Sequence, residues 1–221
     1  MPYHLIPVPF SIIVIVLYTI SRTRYNMKMT QILQPLMTAL AVVIGILSFF
    51  SSNVVPGFSG WIVAGLVASL IADLMHIDMR KDNILMIGII GFTVAYLIYP
   101  IGITVYNGFH SQDIIVGLAL FLIYLWTIRK FWPAVGGFRI PIIIYALVCP
   151  FMVSRAVSTF FGDTFSLTQA VMLSVATSAL YIGDLEYGFH RFIKERKFLF
   201  GHLCYGFGQV LMALSPSYFP G

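Results

Sequence analysis

The sequence predicts an all-α membrane protein, one bundle of eight transmembrane helices. Three observations predict it. The 221-residue chain is 59% hydrophobic and only 10% charged, where a soluble domain carries about 25% charge. Its apolar runs have the length of membrane spans. Its basic residues gather in every second joint between those runs. No polar stretch is long enough to form a separate soluble core, so residues 1–221 read as a single transmembrane domain.

Eight spans follow in order: Leu5–Ile20, Ile32–Phe50, Gly60–Ile77, Ile84–Val105, Ile114–Ile128, Ile140–Phe160, Leu167–Tyr187 and Leu199–Ser215. The first lacks a basic leader and a small-residue cleavage site, so it is expected to remain as a helix. Pro35, Pro100, Pro141 and Pro150 fall within or at the start of spans, which membrane helices tolerate when neighbours satisfy the freed carbonyls. Arg22, Arg24 and Lys28 follow the first span. Arg80 and Lys81 follow the third, Arg129, Lys130 and Arg139 the fifth, and Arg191, Lys194, Arg196 and Lys197 the seventh. The joints 51–59, 106–113 and 161–166 carry no Lys or Arg. By the positive-inside rule the basic joints are cytoplasmic and both termini are not. This placement accounts for the net charge of +5 without nucleic-acid binding. Cys149 and Cys204 lie in apolar runs and form no CxxC motif.

A weak internal repeat runs through the chain, residues 1–110 against 111–221. Gln34-Pro35 matches Ile140-Pro141, Ala72-Asp73 matches Gly183-Asp184, and Gly88 and Tyr96 match Gly201 and Gln209. Four spans in each half make the repeat parallel, with an axis along the membrane normal.

Asp73 and Asp184 are the candidate catalytic pair. A carboxylate costs roughly 2.5–3.5 kcal/mol at a helix centre and is rarely kept there without a use. Both fall near the cytoplasmic ends of their spans. Gln34, Tyr145, Tyr205 and Gln209 enter from the same side, Ser69 shares the face of Asp73, and Tyr96 lies deeper. Together they predict a substrate pocket in the cytoplasmic half. Two carboxyl groups in unlike surroundings suit acid–base hydrolysis. A metal reading would use Asp73, His76, His190 and His202, but no HExxH or Cys cluster accompanies them, so no metal or cofactor is expected. Other polar residues have plainer readings: Tyr187, His190 and His202 as interfacial anchors, Ser69, Thr177 and Gln209 as interhelical hydrogen-bonders, Glu186 as a solvated end, and Arg155 paired with Asp163 or headgroups.

These motifs, in this order, resemble the YhhN family of lysoplasmalogenase-like membrane proteins. The resemblance covers most of the chain. It rests on Ser69-Leu-Ile-Ala-Asp73, on Gly88, Phe92, Tyr96 and Tyr99 at helical spacing, on Pro141 and Tyr145 leading to Met152 and Arg155-Ala156, on Gly183-Asp184 with Arg191-Phe192, and on Tyr205 with Gln209. It implies a membrane hydrolase acting on the vinyl-ether bond of a lysophospholipid, with Asp73 and Asp184 as catalytic residues. The chain departs from the family pattern at Gln34 (usually Lys), Tyr96 (usually His) and Ala72 (usually Gly). The family lysine would bind phosphate, and Arg80, Lys81 or Arg191 are the candidates to replace it. Two further readings stand beside the hydrolase. Buried carboxylates in a parallel repeat also suit a small-solute or proton-coupled transporter. A lipid-binding relative without turnover is the other.

Overall fold

A computed structural model describes residues 2–75, 81–193 and 200–220. Eight α-helices follow in order: α1 (Val8–Thr23), α2 (Met27–Ser48), α3 (Pro56–Met75), α4 (Asp82–Asn107), α5 (Ser111–Ile128), α6 (Arg139–Ser158), α7 (Leu167–Ile193) and α8 (Gly201–Leu214). Among the described residues there is no strand. Six helices, α1 to α6, are long and apolar enough to cross a membrane, and the protein is a multi-pass membrane protein. The other two differ from the expected spans for local reasons. The polar residues Asp184, Glu186, His190 and Arg191 populate the last turns of α7, which runs six residues past Tyr187. Helix α8 is only 14 residues long, Gly201–Leu214.

Elsewhere the helix ends lie within a few residues of the expected ones, for reasons in the sequence. Helix α2 begins five residues early because the Asn26 side chain accepts a hydrogen bond from the Met29 amide, an N-cap that satisfies one of the first turn's free donors. Helix α4 ends at Gly108, whose φ of 67° suits a residue without a Cβ.

Helix contacts close a ring in the order α2, α3, α4, α6, α7, α8 and back to α2. Helix α1 lies outside it against α2 and α8, and α5 lies outside against α6 and α7. The outward residues Ile114, Ile115, Leu118 and Leu122 of α5 are more than half exposed. Apolar surface of this kind is what a helix presents to lipid. With no hydrophobic difference between lipid and helix faces, close packing must come from small residues. A Cβ on Gly208 of α8 would stand 2.9 Å from the Ala176 carbonyl oxygen of α7, and one on Gly183 would stand 3.0 Å from the Gly201 carbonyl oxygen. On the other side of the ring, a Cβ on Gly91 would lie 2.8 Å from that of Ala72.

At one end of the bundle, Arg155 of α6 is fully buried. Its guanidinium bonds the Asp113 carboxylate at the start of α5, the Gly108 carbonyl and, at 2.9 Å, the Thr104 hydroxyl of α4. The Phe109 ring covers it at 4.6 Å. The expected partner Asp163 is therefore replaced by Asp113, which sits in the first turn of α5, where the His110 amide also bonds it. Asn107 of α4 donates to the Ser158 carbonyl and hydroxyl of α6, both at 3.0 Å. The joints carrying Arg22, Arg24, Arg129, Lys130 and Arg139 lie at the opposite end.

Two outcomes follow. Arg155→Met strands a buried carboxylate and should lower unfolding stability by about 3–5 kcal/mol, read as a fall in the thermal midpoint in detergent. Gly208→Leu drives a side chain into the α7 backbone and should cost about 1–3 kcal/mol by the same measurement. An unchanged midpoint in either variant contradicts this packing.

Candidate functional site

The Asp73 carboxylate is buried near the end of α3. Three donors reach it from two other helices. Gln34 Nε2 of α2 donates to Oδ1 at 2.6 Å, and Thr38 Oγ1, one turn on, donates to Oδ2 at 2.5 Å. Tyr205 of α8 donates its hydroxyl to Oδ2 at 2.8 Å. The chain of bonds continues outward, for Tyr18 of α1 donates to Gln34 Oε1 at 3.0 Å. One carboxylate thus ties together α1, α2, α3 and α8. The i, i+4 spacing of Gln34 and Thr38 puts both on the α2 face turned to α3.

The Asp184 carboxylate on α7 is half-buried and accepts from the Tyr145 hydroxyl of α6 at 2.9 Å. The Tyr145 ring packs against Tyr96 of α4, centroids 5.8 Å apart. The buried Tyr96 hydroxyl is turned toward the same carboxylate without meeting hydrogen-bond geometry. Gly183 lets α8 approach beside it, so Asp184 lies close to the first turn of α8.

The two carboxylates differ in access. A cavity of about 120 Å³ opens between the helices at the end carrying the basic joints, room for several waters or the polar end of a lipid. Asp184 and Tyr145 are on its wall. Asp73 is not, but its partners Gln34 and Tyr205 are. Leu85, Ile89, Phe92 and Ile142 make much of the remaining wall apolar.

Of the residues expected at the site, Gln34, Asp73, Tyr96, Tyr145, Asp184 and Tyr205 come together. Ser69 and Gln209 are buried one layer away from the cavity. Gln209 Oε1 accepts from Tyr99 at 3.4 Å, and Ser69 Oγ has no partner among the described residues. Sequence reasoning missed Tyr18, Arg22 and Thr38. The signal for Thr38 was its helical spacing from Gln34, and for Tyr18 and Arg22 their shared face on α1. The plainer readings also change. His202 is buried against the Tyr18 ring, 5.4 Å between centroids, so it is no interfacial anchor. Glu186 accepts from the Phe200 and Gly201 amides and caps α8. Arg191 pairs with Asp82 at 2.5 Å. Lys81 is exposed and off the wall. His76 and Arg80, like Lys194, Arg196 and Lys197, lie outside the described residues. Among the described residues, no three His, Cys, Asp or Glu side chains gather as a metal site.

No curated protein and no solved structure matches the chain. The family model of the YhhN family matches residues 29–216. That segment holds both aspartates and every partner that binds them directly, and it covers most of the chain: the protein belongs to the YhhN family.

Proposed function

We propose that the protein is a membrane hydrolase that cleaves the vinyl-ether bond of a lysoplasmalogen, releasing a fatty aldehyde and a glycerophospho-base. The observation that carries the reading is Asp184, a carboxyl group on the wall of a largely apolar cavity, held by a tyrosine hydroxyl. In this reading Asp184 gives its proton to the outer carbon of the enol-ether double bond. The inner carbon and the ether oxygen then share the positive charge of an oxocarbenium ion. The resulting carboxylate faces that charge and takes a proton from the water that adds to the inner carbon. The hemiacetal loses its carbon–oxygen bond to glycerol. The glycerol oxygen gains a proton, and the aldehyde leaves.

Asp73 acts through its neighbours. It fixes Gln34 and Tyr205, which reach the cavity wall and offer polar groups to the water and to the glycerol oxygens. Tyr96 stands where the family usually has His, and its hydroxyl is turned to the Asp184 carboxylate as a neutral group. By the positive-inside rule the cavity opens on the cytoplasmic half.

We also read the two halves as a parallel repeat. Gln34 precedes Asp73 by 39 residues, and Tyr145 precedes Asp184 by 39. Exchanging the halves converts the α2–α8 contact into the α6–α4 contact, and both are present. This spacing matches Gln34 with Tyr145, where the proline-based alignment had matched it with Ile140.

Detergent-purified protein given lysoplasmalogen should release fatty aldehyde. Asp184→Asn should lower kcat by about 10²–10⁴-fold, the range of a lost acid–base group, with the thermal midpoint preserved. Asp73→Asn should also lose activity, but with a lower midpoint, because an amide cannot accept from three donors. No aldehyde from folded wild type, or full turnover in both variants, refutes the hydrolase.

A further inference from the structure

The cavity contains a cation that the chemistry above does not use. Among the described residues of its wall, Arg22 is the only lysine or arginine. It is half-buried at the end of α1. The ion pairs of the described residues, Arg155–Asp113 and Arg191–Asp82, do not include it. Its charge acts on Tyr18, Tyr187 and His202, all on the same wall. A guanidinium that borders a largely apolar cavity and is held in no ion pair of the described residues is free to receive an anion that enters there. Its planar set of donors matches the paired oxygens of a phosphate, the anion common to phospholipid headgroups.

Two other features were candidates for the anion site and fail. The start of α8 opens on the cavity, but its Phe200 and Gly201 amides are already bonded to Glu186. Gln34 also reaches the cavity wall, but its side chain carries no charge to offset that of an anion.

We propose that Arg22 binds the phosphate of the ligand and so selects for phosphate-bearing single-chain ether lipids. The proposal rests on the cavity being the lipid site described above. Arg22 and Asp184 line one and the same cavity, so a lipid whose ether oxygen is at Asp184 keeps its glycerol and phosphate within the enclosure that Arg22 borders.

The test uses a ligand that cannot be hydrolysed. Full-length protein in a maltoside detergent, which carries no phosphate, is titrated with a saturated alkyl-ether lysophosphatidylethanolamine. A second titration uses the 1-O-alkylglycerol of the same chain length, and both are followed by calorimetry. Wild type should bind the phosphate-bearing lipid at least about tenfold more tightly, the scale of a charge-assisted hydrogen bond. Arg22→Gln should bring the ratio close to one with little change for alkylglycerol, and Arg22→Lys should keep part of it. A wild type without the preference overturns the proposal, even if Arg22→Gln fails to fold. So does a folded Arg22→Gln that keeps the preference. Free glycerophosphoethanolamine should compete only weakly. If it binds as tightly as the lipid, the phosphate belongs to a soluble ligand and the lipid assignment falls. Since no turnover is needed, a missing aldehyde product with this preference intact would refute the hydrolase and leave the phosphate site standing.

Discussion

A carboxylate in the membrane interior must find donors or be expelled, and the architecture follows from how Asp73 finds them. The hydrocarbon region supplies no water to complete its shell. Every lone pair used must be met by a side chain that another helix delivers. Gln34, Thr38 and Tyr205 meet it from α2 and α8, and Tyr18 extends the set to α1. Apolar packing alone leaves helix rotation weakly defined, because lipid competes equally for each greasy face. A carboxylate with fixed bond directions removes that freedom. It sets which face of α2 looks inward, and with it which side chains reach the cavity.

The same constraint explains why two similar acids have different access. Asp73 is enclosed by three donors and reaches the cavity only through them. Asp184 has one strong donor, Tyr145, and an open side. The glycines next to it permit α8 to approach without covering that side. Rigid support behind and open space in front is the arrangement in which a side chain can be both held and used.

Much of this was legible in the sequence. The eight helices were, as uninterrupted apolar runs, although among the described residues only six of them have the length and composition to cross a membrane. The two aspartates, Gln34, Tyr145 and Tyr205 were, because a polar residue in an apolar run stands out against its neighbours. Partner choice was harder to read. Helices that are apolar all round give no periodic signal of which face meets which neighbour. Asp113 was overlooked as the partner of Arg155 for that reason: it lies 42 residues away, and only the packing of α5 on α6 brings the two together. Thr38 and Arg22 were hidden by ordinariness, a threonine among apolar residues and an arginine in a basic joint.

The Arg155–Asp113 pair has a further consequence, for helix α5. Alone in hydrocarbon, each charge resists partition into the bilayer. Side by side, each supplies what the other lacks, and Gly108 and Thr104 of the preceding helix complete the guanidinium's shell. One arginine therefore clamps three successive helices, α4, α5 and α6, at one end of the bundle, and α5, which lies outside the ring, is held to it there by charge rather than by apolar fit.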